Sequence, residues 1–381
     1  VSANRSESER HEAAKRSLSP KRVAAAAGVF VVVLFLDFFL NVILPDSSIR
    51  QLLMLAACNV LAALSLNVIN GMAGQFSIGH AGFLGIGAYT SAVIASHMHH
   101  FFGGGEPSFA RSFAIVPACL CASAIVAGFF GFLVGLPSLR LRGDYLAIVT
   151  LGFAEIFRLI IATAQADSGN GQSVMGRISA AISSLGGQNG YQGIGNDGIP
   201  LYAGPFWVFG LAALLGLVAW RIKFSGWGRA LRGLREDEIA AAAVGVDPTR
   251  YKVTSFVIAA AGGGIAGGLS AIMRDGLGIV NPDNYNFQTS FDAITMVILG
   301  GSGSVTGSAM GGVFVTFTVK AIELLQGSSV VQDLRVSVEW LDLNALRMIV
   351  YAMVIIALMI VRPEGLLGER ELFGKRRAVQ R

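Results

Sequence analysis

Two charged residues interrupt the apolar run "DYLAIVTLGFAEIFRLI" at a spacing of three, Glu155 and Arg158. On a helix they share a face. Each alone at the bilayer centre costs about 2.5–3.5 kcal/mol on insertion scales, so each must pair with the other or with a neighbouring helix. Asp37 is a lone acid in an earlier apolar run and must face protein or the outer interface. There is no ladder of acids of the kind a proton relay uses. His97, His99 and His100 lie together as "HMHH" without a carboxylate or cysteine nearby, which favours a solvated interfacial patch over a metal site. Cys58, Cys119 and Cys121 all lie in apolar runs, the last two as C-x-C rather than C-x-x-C, and read as small apolar side chains. "GGSGSVTGS" (300–308) has the glycines of a phosphate loop but no lysine before its serine, and Gly374-Lys375 is followed by Arg376. Expected, then, is a chain with no catalytic, metal or cofactor residues of its own.

The elements that would hold these residues follow from composition. Hydrophobic residues make up 53% and charged residues 14% of the 381 positions, against about 25% charged in a soluble domain. Mean hydropathy is +0.61. A water-soluble fold cannot hide that much apolar surface. The apolar runs are long and continuous rather than alternating, which argues against a membrane barrel. The fold class expected is therefore an all-α, polytopic integral membrane protein of about eight to ten transmembrane helices. Spans read at about 23–44, 50–70, 71–95, 112–136, 143–165, 203–222, 253–273 and 343–361. Region 287–325 is either two crossings or a re-entrant half-helix followed by one long helix.

The net charge of +5 carries orientation rather than nucleic-acid binding, since no aromatic-basic interleaving suggests a nucleic-acid groove. A polar N-terminal tail (1–22), the short link holding Arg140 and Arg142, loop 223–252 and a basic C-terminal tail (362–381) are expected on the cytoplasmic side. Loop 166–201, with Asp167, Asp197 and a single Arg177, is expected outside. The transmembrane body is 23–361. Parity closes if 287–325 enters and leaves on one side.

Two segments are rich in glycine, "NGMAGQFSIGHAGFLGIGAY" (70–89) and "GGSGSVTGSAMGG" (300–312). Paired glycine interruptions in two halves of a transporter point to a central pathway, here Gly71, Gly74, Gln75, Gly79, Gly82, Gly300, Gly301, Gly303 and Gly307. Close helix packing through small residues explains them equally well. In the loop "SGWGRALRGLREDEIAAAAVGVDPTRYK", residues 229–244 suit one helix, Gly245 suits its C-terminal cap, and Asp247-Pro248 suits the start of the next.

Four stretches in one order, "LRGDYLAIVTLGFAEIFRLI", "LREDEIAAAAVGVDPTRYK", "VILGGSGSVTGSAMGG" and "VRPEGLLG", resemble the permeases of branched-chain amino-acid ABC importers of the LivM type, over about residues 50 to 368. The resemblance implies a multi-pass protein of the bacterial inner membrane with both termini cytoplasmic. It implies a second related permease, two cytosolic ATP-binding subunits that use ATP and Mg, a periplasmic binding protein and the lipid bilayer as partners, and no nucleic acid. It makes Arg235, Glu236, Glu238, Ala240, Ala241 and Gly245 the coupling helix that touches an ATPase. The family also moves urea, short amides and aromatic acids, and the long Gly- and Asn-rich loop after Gln165 departs from its pattern. An ion-coupled secondary transporter would instead need intramembrane carboxylates at a substrate site and no coupling tip. A membrane enzyme would need paired His, Asp or Glu at helical spacing in the spans.

Overall fold

The computed structural model describes residues 46–138, 144–164, 180, 182–326 and positions scattered between 349 and 372. Asp37, the 23–44 span, Arg140 and Arg142, Arg177 with the rest of 165–179, both extreme tails and most of the 343–361 span lie outside the described residues.

Ten α-helices are defined among the described residues: α1 Ser47–Asn67, α2 His80–Phe101, α3 Phe109–Ser138, α4 Asp144–Ala162, α5 Pro205–Phe224, α6 Gly226–Glu236, α7 Glu238–Ala243, α8 Pro248–Ala271, α9 Phe287–Gly300 and α10 Val305–Gln326. No strand occurs among the described residues, and the protein is an all-α, polytopic membrane protein. Six stretches are long and apolar enough to cross a membrane: Ser47–Met72, Phe109–Leu136, Tyr145–Ala162, Pro205–Phe224, Pro248–Ala271 and Val305–Leu324. The helices run alternately up and down. One end of the bundle gathers the end of α1, the start of α8, the end of α5, all of α6 and α7, and the α9–α10 turn, while α2 begins deeper, with His80 against Ser65 and Gly263. The other end gathers the start of α1, the end of α2 and the segment after α8.

Capping explains most boundaries. Asp46 accepts from Ser48 N at 2.9 Å at the start of α1. Asp247 accepts from Thr249 N at 3.0 Å and Arg250 N at 3.3 Å, with Pro248 in the first turn of α8. Gly245 takes φ +91°, the left-handed conformation of a helix C-terminus.

Two expectations change, and the choice left open at 287–325 is narrowed. The span at 71–95 does not begin at residue 71: α1 runs into a π-turn, Val68–Met72, and 73–79 is not helical. Asn70 closes this link, its Nδ2 donating to Ser77 O and its Oδ1 accepting from Ser77 N, both at 3.2 Å. The helix then starts at His80, where Ala81 N donates to Ser290 Oγ of α9. The single helix over 229–244 is two, because Asp237 leaves the helical conformation and caps α7 through Ile239 N and Ala240 N. Region 287–325 is a short helix and a long one that turn at the same bundle end. With 14 residues α9 is about 21 Å long, too short for a hydrocarbon core of about 30 Å.

Helix α8 sits at the centre, against α3, α2 and α1. Glycine makes the α2–α8 approach so close that a Cβ on Gly267 would overlap Leu84 O, and one on Gly87 would overlap Gly264 O. Around this seam lie the buried Leu61, Leu66, Phe83, Phe256 and Leu269. We expect Gly267→Ala to lower the yield of folded, detergent-extracted protein sharply, since only backbone movement relieves the overlap. Gly233→Ala, where nothing lies within 4 Å of the added carbon, should be neutral or stabilising by up to about 1 kcal/mol. Thermal unfolding of the two variants measures both.

Candidate functional site

The α6–α7 end is a joint between distant parts of the chain. Its centre is Glu371. The carboxylate accepts from Lys223 Nζ at 2.6 Å, Val305 N at 2.8 Å and Thr306 N at 2.9 Å, and also from the Thr306 hydroxyl. The first amides of α10 have no partner within their own helix. Glu371 caps them from a remote part of the sequence, and its negative charge suits that helix end. The Lys223 and Glu371 side chains are 7% and 3% exposed, so each depends on the other. Burial pushes the Glu371 carboxyl up, but Lys223, the Thr306 hydroxyl and the amides of Thr306 and Val305 outweigh it and hold it below the usual glutamate range.

The same end locks the α9–α10 turn onto α1. Gly303 N donates to Asn67 Oδ1 at 2.8 Å, and Asn67 Nδ2 donates to Ser304 O at 3.1 Å. Arg235 Nη1 donates to Gly71 O at 2.9 Å, and the Arg235 stem covers the place where a Cβ on Gly74 would stand. Residues 365–368 and 370–372 also seat here: Leu366 N donates to Leu299 O at 2.7 Å, and Ser304 Oγ donates to Arg370 O at 2.8 Å. By sequence these residues belong to a basic tail.

The glycines of the two segments lie inside packed contacts. Gly71 abuts Asn67 and Gly303, Gly79 abuts the Thr150 backbone, and Gly82 abuts Ala154. Gly300 and Gly307 face each other so closely that a Cβ on either would overlap the other's carbonyl. Gly301, at φ +115°, lies against Gly368. Gln75 is buried, and its Oε1 accepts no bond among the described residues.

In the coupling region the expected residues divide. Ala241 is buried, so it is not the outward-facing position the sequence suggested. Arg235 reaches inward to Gly71, and Glu238 Oε2 accepts from Lys252 Nζ at 2.7 Å. Glu236, Ala240 and Gly245 are exposed. The most exposed large apolar side chains here are two that sequence reading did not single out, Ile239 at 81% and Val244 at 80% exposure. Their apolar character in a charged loop was the available signal.

Glu155 and Arg158 stand elsewhere, on α4. Arg158 donates through Nη2 and Nε to Glu155 Oε1 at 2.6 and 2.8 Å, and through Nη1 to Asp283 Oδ1 at 2.9 Å. Asp283 lies in a 3-10 turn, Pro282–Tyr285, which no helical period ties to α4. At the far end His99 Nδ1 lies 2.7 Å from the Tyr202 hydroxyl and His97 Nδ1 lies 2.8 Å from its own helix at Val93 O. Cys58 and Cys119 are buried, Cys121 is exposed, and all three are free thiols.

Glu371→Gln should destabilise the protein by about 3 kcal/mol, because it removes the carboxylate charge beside the buried Lys223 ammonium; adding Lys223→Met should restore part of the loss. The lowered carboxyl value gives the pH sign. Its contribution is complete above the ordinary glutamate value of 4.5 and is lost as pH falls below that, through the folded value. Unfolding midpoints of wild type and Glu371→Gln should therefore converge under acid conditions.

The model of the family described as branched-chain amino acid transport system / permease component matches residues 48–359. The chain is similar to the high-affinity branched-chain amino acid transport system permease protein LivM of Salmonella typhimurium, 34% identical over 320 residues, covering 81% of this chain and 67% of that protein. It is similar to the probable branched-chain amino acid transport permease protein LivM of Methanocaldococcus jannaschii at 26% identity, over 82% of this chain and 91% of that one. Similarity extends to the LivH permease protein of Salmonella typhimurium, at 23% identity over 84% and 94%. No solved structure matches. That family is a transport permease component rather than an enzyme, and the chain belongs to the branched-chain amino acid permease family.

Proposed function

We propose that this chain is a transmembrane permease subunit of an ATP-binding-cassette importer for leucine, isoleucine and valine. The relatives named for that transport support the substrate. In this reading ATP and Mg are used by two partner ATPases, a second related permease completes the pathway, and a periplasmic binding protein delivers the amino acid. The α6–α7 end faces the cytoplasm of a bacterial inner-membrane protein with both termini inside. Arg221, Lys223, Arg229, Arg232, Arg235, Arg250 and Lys252 all belong to that end, and basic loops stay on the cytoplasmic side.

The observation that carries the coupling role is the tip of α7. Ile239 and Val244 are large, apolar and almost fully open to solvent on a helix pair that projects from the bundle. Apolar anchors of this kind fill pockets on a partner. Behind them, Asp237, Ala241 and the Lys252–Glu238 pair keep the tip rigid, and Arg235 connects it to Gly71. A push on the tip is thereby passed to α1 and the α9–α10 turn.

In proteoliposomes carrying the whole complex, Ile239→Asp should cut leucine uptake by about tenfold or more, the range of a lost interface anchor. Membrane yield and basal ATPase should be retained, because the side chain touches little of its own chain. Unchanged uptake in Ile239→Asp and Val244→Asp together would return α7 to a plain connector.

A further inference from the structure

Arg158 and Glu155 sit in the C-terminal half of α4, within its apolar span, beside Asp283 of the segment after α8, and the cluster is open on one side. Their level is set by contacts along α2: α4 meets Gly79 at Thr150, Gly82 at Ala154 and Gly85 at Phe157, and Phe157 packs edge-on against Tyr89. Arg158 follows Phe157 and lies four residues before the end of α4, in the C-terminal half of its apolar span. The Tyr89 hydroxyl also donates to Val280 O at 3.1 Å, which brings 280–285 down to the same level. Yet Glu155 is 37% and Asp283 57% exposed.

Charges so exposed at this depth do not face hydrocarbon, where ionised side chains are disfavoured. Irregular backbone such as 280–286 is tolerated at membrane depth where it is covered by protein or lines water. Both features mark the same face. Space is open there too: a Cβ added at Gly152, one turn before Glu155, meets nothing within 4 Å.

The hydrogen bonding of the cluster is incomplete in a specific way. Arg158 uses three of its five N–H groups. Glu155 Oε2 and Asp283 Oδ2 accept no bond among the described residues. Spare donors and spare acceptors therefore lie side by side, with a net charge of one negative. A zwitterion matches both halves.

We propose that Arg158, Glu155 and Asp283 form a station for a zwitterionic amino acid on the path through the membrane. The solute's carboxylate meets Arg158, its ammonium meets Glu155 and Asp283, and its side chain lies along α4 toward Leu159. The assignment rests on the importer reading above. It moves the path from the tightly packed glycines to the α4 face.

The test uses membranes holding the complete complex, with Cys58, Cys119 and Cys121 changed to alanine. Gly152→Cys should react with a charged, water-soluble thiol reagent, and saturating leucine should slow that reaction about tenfold. Ile125→Cys, exposed on α3 among apolar neighbours, is the control and should stay unlabelled. Isoamylamine and 4-methylpentanoate, which each lack one pole of leucine, should not protect. Asp283→Asn should raise KM for leucine about tenfold, the cost of one charge-assisted hydrogen bond, with a smaller effect on kcat. Gly152→Cys labelling no faster than Ile125→Cys would overturn the path, whatever solute the complex carries. Labelling with an unaltered KM in Asp283→Asn would overturn the binding role and leave a structural ion cluster. A wild-type complex that moves no leucine would overturn the substrate reading, while the labelling result would still decide where the path runs.

Discussion

The Glu371 carboxylate is the contact on which the lower half of this structure depends. It satisfies the opening amides of α10, which no residue of α10 itself can reach, and neutralises a buried lysine at the end of α5. Those two elements are far apart in sequence, and so is the carboxylate from both. One side chain therefore decides where the α9–α10 turn stands relative to the α5–α6 corner. The turn in turn rests on Asn67 and Gly71, and Arg235 rests on the same glycine carbonyl. Together these contacts make a single rigid block of α1, α5, α6, the α9–α10 turn and the segments 365–368 and 370–372.

A membrane helix satisfies its own backbone, and every departure from helix must be compensated locally. Two departures from helix are handled differently. The 73–79 link is closed by side chains, with Asn70 serving Ser77 and the Thr150 hydroxyl accepting from Ile78 N at 3.1 Å. It is packed shut. The 272–286 segment pairs with neighbouring loops through Tyr191–Val280 and Ala203–Met273, and Arg50 forks onto Asp275. Its inner end, at Asp283, is left half-open beside Arg158. A closed link behind and an open charged link in front are what a subunit needs if solute passes along one face only.

Much of this was legible in the sequence because it depends on local pattern. Apolar run length gave the long spans, Asp247-Pro248 gave the start of α8, and the spacing of Glu155 and Arg158 gave a shared helix face. The rest depends on contacts that no period encodes. Residues 73–79 carry no charge and lie between two apolar runs, so run length did not separate an extended link from a span; the Asn70–Ser77 pairing does. Glu371 stands among arginines and lysines, and its partners are remote, so composition hid a buried acid inside a basic stretch. Asp283 follows a proline in a loop, with nothing to connect it to α4. Ala241 sits in a run of four alanines, and which of them turns inward is decided by the bend at Asp237.

On the proposed importer reading, α6 and the α9–α10 turn move as one body when partner ATPases act. Spin labels at Gly233 on α6, where added bulk meets nothing, and at Met310, exposed on α10, bracket that block. Their separation, measured by pulsed electron resonance in the reconstituted complex with and without ATP, should stay the same while transport proceeds. A distance that shifts between the nucleotide states would show that the block breaks at Glu371 or Arg235, and would contradict the account.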